Sequence, residues 1–240
     1  MTFRKRLYRG YSQLRRRILG IPPPGRVDFG DLRRLEPISR HFGTDRGLPL
    51  DRYYIEQFLG RHAADIRGCA LEVGDDVYLR RFGQGRVVRG DILHVADGNP
   101  RATIVADLAN APHIPDQTFD CIVLTQTLHL IYDFRRAVST LYRILKPGGV
   151  LLLTVPGLTQ VPMRSQWGYT WHWSFTQRSI GRMFSDEFGT GQVSLFTYGN
   201  VLAATAFLQG LAAEELGCDE LDATDADYPV IIAARAHKRA

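Results

Sequence analysis

Apolar positions along the chain switch between a helical rhythm and short continuous runs. From Phe3 to Leu19, the residues Phe3, Leu7, Tyr11, Leu14 and Ile18 recur every three or four positions, while Arg4, Arg6, Arg15, Arg16 and Arg17 fill the rest. That period predicts a basic amphipathic helix. Gly20 and the stiff Ile21-Pro22-Pro23-Pro24-Gly25 linker end it, because each proline removes a donor and restricts its predecessor. A second helix is expected from about Asp51 to Ile66, with Tyr54, Ile55, Phe58, Leu59 and His62 on one side and Pro49-Leu50-Asp51 as its capped start.

Beyond Ile66 the pattern becomes apolar runs bounded by turn residues. Strands are expected at Cys69–Val73, Arg86–Leu93, Ala102–Ala106, Phe119–Thr125 and Val150–Val155. A short helix at Tyr78–Phe82 follows the first strand, and Asp133–Leu145 reads as a longer one, stopped by Lys146-Pro147-Gly148-Gly149. After Pro156 an irregular aromatic segment leads to a strand at Val193–Tyr198, a helix at Val201–Leu216 and a last strand at Tyr228–Ala236. Continuous apolar strands separated by helices imply a doubly wound, mostly parallel α/β sheet covered on both faces. The expected organisation is residues 1–25 as basic helix and linker, 26–68 as a helical cap, and 69–240 as the α/β domain.

Charge changes this picture by its placement. The net charge of the 240 residues is +5, yet residues 1–40 hold 11 basic and 3 acidic side chains, a net +8, so the remaining 200 sum to −3. A slightly acidic body argues against nucleic acid as its main partner. The basic helix at 3–19 suits an anionic membrane surface, a protein partner, its own domain, or a second copy in a homodimer. Three cysteines without close spacing suggest neither a disulfide framework nor a thiolate metal site, which points to a reducing cytoplasm. No run is long and apolar enough for a membrane-spanning helix, and no His, Asp and Glu cluster has metal-ligand spacing.

Two segments carry a resemblance. Phe119-Asp120-Cys121-Ile122-Val123 and the downstream Leu145-Lys146-Pro147-Gly148-Gly149-Val150-Leu151-Leu152 resemble the fourth strand, and the turn into the fifth, of the class I S-adenosylmethionine-dependent methyltransferases. The resemblance spans roughly residues 40–237 and implies a Rossmann-like methyltransferase fold with an N-terminal helical extension, S-adenosylmethionine as cofactor, and methyl transfer to an oxygen of a small molecule or glycan. In Leu71-Glu72-Val73-Gly74-Asp75-Asp76-Val77-Tyr78, Glu72 and Gly74 match the family's glycine-rich turn, while Asp76 and Tyr78 stand where later glycines are usual. That substitution opens a second reading, a methyltransferase-like protein without cofactor that serves as a partner or scaffold. An RNA methyltransferase is a third.

Further positions follow from the same resemblance. Asp91, 17 residues after Gly74, is expected to accept the ribose hydroxyls, in preference to Asp97. Asp107 and Leu108 are expected to hold adenine, and Thr125 and Gln126 to face the methionine portion. His129 and His172 are the candidate bases, since an acceptor that must lose a proton needs one. Tyr53 and Tyr54 of the cap, with Trp167, Tyr169, Trp171 and Trp173 after the fifth strand, are the candidate acceptor-binding residues. His41, Arg46 and Arg52 lie in the cap as well.

Overall fold

The computed structural model describes residues 18–164 and 170–240. The segment 3–17 of the expected basic helix, together with Trp167 and Tyr169, lies outside the described residues. The chain divides into two compact units, 1–36 and 37–240. In the first, a 3-10 turn at Gly30–Leu32 is held by the Asp28 carboxylate, which accepts from the Gly30 amide at 2.9 Å.

In the second unit, apolar runs become a seven-stranded sheet because each run can bury both of its faces. The strands are β1 Gly68–Val73, β2 Val87–His94, β3 Ile104–Val105, β4 Phe119–Thr125, β5 Leu145–Pro156, β6 Val193–Tyr198 and β7 Ile231–His237. Their order is β3-β2-β1-β4-β5-β7-β6, with β1 to β5 parallel and β7 antiparallel to both β5 and β6. The helices are α1 Leu50–Arg61, α2 Val77–Gly83, α3 Phe134–Ile144, α4 Gln177–Phe188, α5 Val201–Leu208 and α6 Cys218–Asp222.

Strand alternation divides the core into two layers. Leu71, Ile122, Leu124, Leu151, Leu153 and Val155 face α3 and α4. Ala70, Cys121, Val123, Val150 and Leu152 face α1, α2 and α5. The sheet is therefore covered on both sides, and only its strand ends are left to build a site.

Three expectations are corrected. The helix α4 falls in the segment read as irregular: Thr176 and Ser179 form a reciprocal capping box, and Ile180, Met183, Phe184 and Phe188 bury its inner face. The helix expected to reach Leu216 stops at Leu208, because Gly210 takes φ +71° against the Ser39 carbonyl, where a Cβ would overlap. The chain then enters a 3-10 turn at Ala213–Glu215 and the unforeseen α6. The third strand shrinks to two residues at the sheet edge.

The Lys-Pro-Gly-Gly segment has a structural function. Its residues form an irregularity inside β5, where Phe119 pairs with Leu145 but Cys121 with Val150. Asp120 Oδ2 accepts from Lys146 Nζ at 2.7 Å and from the Cys69 amide at 2.8 Å, tying together the starts of β1, β4 and β5. The C-terminal tail closes the same corner, since Lys238 Nζ donates to the Tyr142 and Leu145 carbonyls at 2.8 Å each, and its backbone pairs with Gly148 and Gly149. Removing this ammonium leaves the last carbonyls of α3 without their donor. Lys238→Ala is expected to lower the free energy of urea unfolding by about 2 kcal/mol. An unchanged denaturation midpoint would rule out this clasp.

Candidate functional site

In an open α/β sheet, the crevice for a ligand opens at the carboxyl ends of the strands, where their order reverses. Here that point lies between β1 and β4, so the turns leaving these two strands set its walls.

On the β1 side, Gly74 adopts φ +99°, and no atom lies within 4 Å of where a Cβ would stand. Its amide donates to the Leu93 carbonyl at 2.9 Å, and its carbonyl accepts from Asn99 Nδ2 at 3.0 Å. The turn is thus pinned by backbone and leaves open space on its outer side. Glu72, just before it, is buried, and its carboxylate accepts from the Tyr78 and Leu79 amides at 3.0 and 2.8 Å. It caps α2 from below. Burial raises its carboxyl to about 7, the two amides oppose that shift, and Asp76 and Asp75 reinforce it.

The two residues standing in place of glycines are engaged by other groups, and neither comes within 4 Å of where a Gly74 Cβ would stand. Tyr78 is buried among the α1 and α2 side chains, with its hydroxyl accepting from Arg52 Nη1 at 3.0 Å. Asp76 pairs with Arg80 at 3.0 Å and with Arg101, which also holds Asp75 at 2.7 Å. The degenerate motif therefore leaves the turn beside Gly74 open.

On the β4 side, Thr125 pairs with Thr154 of β5, and Gln126 turns the chain with φ +47°, its amide donating to the Thr154 carbonyl at 2.9 Å. Gln126 Oε1 and Thr154 Oγ1 are buried and have no hydrogen-bond partner among the described residues. Such atoms cost about 1–3 kcal/mol each unless a ligand or water meets them. Asp51, at the start of α1, lies beside this turn: burial raises its carboxyl, opposed by the Arg52 charge, the Arg52 amide and the Gln126 side chain. The Arg52 guanidinium beside it is exposed and tethered by the neutral Tyr78 hydroxyl. Asp51 was legible only as a helix start, because an acid at that position reads equally as a cap.

The loop after β4 forms a 3-10 turn at Leu128–Leu130 that buries His129. Desolvation pushes its imidazole down to about 4, so the ring is neutral at physiological pH. Its carbonyl accepts from the His172 and Trp173 amides at 3.1 and 3.2 Å, which draws the segment after β5 against the end of β4. Its ring lies 4.2 Å from that of Trp171, and both His129 Nδ1 and Trp171 Nε1 are buried without a partner among the described residues. Trp173 Nε1 is satisfied by the Ile131 and Tyr132 carbonyls at 3.1 and 3.0 Å. His172 is exposed and meets Tyr132 edge-on, with centroids 5.3 Å apart.

Glu72, Gly74, Thr125, Gln126, His129 and Trp171 thus come together around one rim, and other expected residues do not. Asp91 sits within β2 opposite Leu71, three residues short of the strand end, where Arg89 and Thr103 hydrogen-bond its carboxylate at 2.9 Å each. Asp97 is in the turn that leaves β2 and is exposed. Asp107 makes a tight turn, accepting from the Ala109 amide at 2.8 Å, and Leu108 is buried in the core rather than free to cover a ring. Tyr54 is a core residue whose hydroxyl donates to the Leu221 carbonyl at 3.0 Å, and Tyr53 donates to Asp222 at 3.2 Å. Both anchor α1 on α6. Arg46 is paired with Glu215.

Among the described residues, no group of three or more His, Cys, Asp or Glu side chains is placed to hold a metal ion, and no helix is long and apolar enough to cross a membrane.

Comparison with known proteins agrees with this architecture. Residues 77–153 match the model of a methyltransferase domain. The ubiquinone/menaquinone biosynthesis C-methyltransferase UbiE of Haemophilus ducreyi is 41% identical over 92 residues, covering 38% of this chain and 29% of that protein. The matched segment thus spans less than a third of this curated relative. A SAM-dependent methyltransferase from Archaeoglobus fulgidus superposes with a TM-score of 0.52 at 13% identity, covering 78% of this chain and 94% of that one. Another from Thermotoga maritima gives 0.52 at 17% identity, covering 79% and 92%. At these identities the solved structures speak for the fold alone: the chain has the Rossmann-like fold that these SAM-dependent methyltransferases share, and its residues 77–153 are similar to a methyltransferase domain.

Proposed function

We propose that this chain binds S-adenosylmethionine at the rim between β1 and β4 and transfers its methyl group to a small-molecule acceptor. One observation carries the reading: the turn at Gly74 stays open although Asp76 and Tyr78 replace glycines, because both side chains are bound elsewhere. The residues present suit the cofactor's amino-acid end. Arg52 offers a guanidinium for a carboxylate, Asp51 a carboxylate for an ammonium, and Gln126 Oε1 an unused acceptor. When bound, the sulfonium supplies the electrophilic methyl group. The protein's task is then to align a nucleophile and exclude water. In this reading α1, from the 26–68 cap segment, closes the methionine end, and the buried rings after β4 and β5 hold the acceptor.

An oxygen of a small molecule or glycan is the acceptor atom that the resemblance suggests. A carbon acceptor is the second reading, favoured by the match to relatives named C-methyltransferases. Transfer from a deuteromethyl-labelled cofactor followed by NMR of the product separates a methoxy from a carbon-bound methyl group. The unpaired cysteines and the basic segment at 3–19 support a cytoplasmic enzyme brought by that segment to an anionic membrane or a protein partner.

Cofactor binding is testable by titration calorimetry with S-adenosylhomocysteine. Arg52→Gln and Asp51→Asn are each expected to weaken binding about tenfold, the loss of one charge-assisted contact. No heat from the unaltered protein at millimolar ligand would favour the partner or scaffold reading instead.

A further inference from the structure

His129 Nδ1 and Trp171 Nε1 are two neighbouring polar ring atoms left without a partner among the described residues. Their rings lie 4.2 Å apart, His129 is 2% exposed, and both polar atoms are buried. The indole nitrogen can only donate, whereas Nδ1 of a neutral imidazole protonated on Nε2 can only accept. We infer that His129 carries its proton on Nε2 and that one hydroxyl group on a flat, uncharged ring binds here, donating to His129 Nδ1 and accepting from Trp171 Nε1–H. The inference rests on the methyl-transfer reading only in naming the carrier of that hydroxyl as the methyl acceptor.

Groups that only accept or only donate complete half of the arrangement. A carboxylate, ether or ketone accepts from the indole and leaves Nδ1 bare, and an ammonium does the reverse. A carboxylate would also sit beside a neutral ring, since burial keeps His129 unprotonated well below neutral pH. The nearest charged side chains in sequence, Asp133, Arg135 and Arg136, lie on the exposed start of α3, where Arg136 and Asp133 pair at 3.2 Å. The adjoining side chains are ring faces: Trp173 meets Tyr132 at 5.9 Å and Phe134 at 5.0 Å, and Phe134 meets Phe175 at 5.3 Å. The indole N–H of Trp173 is already used, so this residue contributes only its face. A polyhydroxylated sugar would find few further donors or acceptors along this wall.

Phenol, anisole and benzoate are suitable probes, added to the full chain with S-adenosylhomocysteine while the Trp171 indole and His129 ring resonances are followed by NMR. Phenol is expected to shift both resonances and to bind at least tenfold more tightly than anisole, whose oxygen cannot donate, or benzoate. Trp171→Phe keeps a ring without its N–H and is expected to reduce the preference for phenol over anisole to near unity, as is His129→Phe. Equal binding of the three probes, shifts elsewhere only, or an undiminished preference in folded Trp171→Phe would overturn the assignment. Phenol shifts in a protein that gives no calorimetric heat with S-adenosylhomocysteine would keep the hydroxyl site and sink the methyl-transfer reading.

Discussion

Gly74→Val is expected to weaken S-adenosylhomocysteine binding by about 100-fold or more while the protein still unfolds cooperatively. Two effects act at this position. The backbone there has φ +99°, a region in which a β-branched side chain is strained by about 1–3 kcal/mol. The folded chain nonetheless has room for the side chain, because no atom lies within 4 Å of the new Cβ. That room is the crevice beside the switch point, so the valine takes the space in which the cofactor must approach the backbone. Gly85→Val separates the two effects. Gly85 has φ +80° and equally open surroundings, but it lies in the turn between α2 and β2, so it carries the strain without filling the crevice. Calorimetry on both variants decides the matter: similar affinities would mean that the ligand does not approach Gly74 and that its site lies elsewhere than the rim between β1 and β4.

Much of the fold was legible because burial on both faces makes a strand continuously apolar, as in Phe119–Thr125 and Val150–Val155, and few other structures accommodate such runs. The Asp120 and Lys-Pro-Gly-Gly pairing was legible for a related reason. Asp120 joins three strand starts through Lys146 and the Cys69 amide, so the spacing reflects a corner of the sheet rather than chemistry. The helix α4 was missed because the aromatic run before it masks the Thr176 to Ser179 cap and the spacing of Ile180, Met183, Phe184 and Phe188.

The site was harder to read, because a residue type does not reveal whether its polar atom is already used. Asp91 and Asp107 are carboxylates near strand ends in sequence, and packing adds what sequence does not show, that one accepts from Arg89 and Thr103 and the other from its own turn. Tyr54 looked like a cap-region aromatic and is a core anchor. Tyr78 stood in the sequence as a lost glycine of the cofactor turn, although its helical position turns the ring into the core. The informative atoms at the rim are the buried ones left without partners among the described residues, at Gln126, His129, Thr154 and Trp171. Three-dimensional packing alone identifies them.

Glu72 gives the second large effect, a pH-dependent stability that Glu72→Gln is expected to remove. Its carboxyl is raised from 4.5 to about 7, chiefly by burial, with the Leu79 and Tyr78 amides opposing the shift and Asp76 and Asp75 adding to it. A raised folded-state value means that the native protein holds a proton that the unfolded chain releases between pH 4.5 and about 7. The contribution to stability is therefore fully present below the lower value and is lost as pH rises through the upper one, a change of about 3 kcal/mol. Glutamine at this position keeps an oxygen for the two α2 amides and never ionises, so the variant should lack this slope. Urea unfolding of both proteins between pH 4 and pH 8 should give stability curves that diverge by that amount, with the unaltered protein losing relative stability as pH rises. Parallel curves would mean that the two amides outweigh burial and that Glu72 is already ionised in the native state at acid pH.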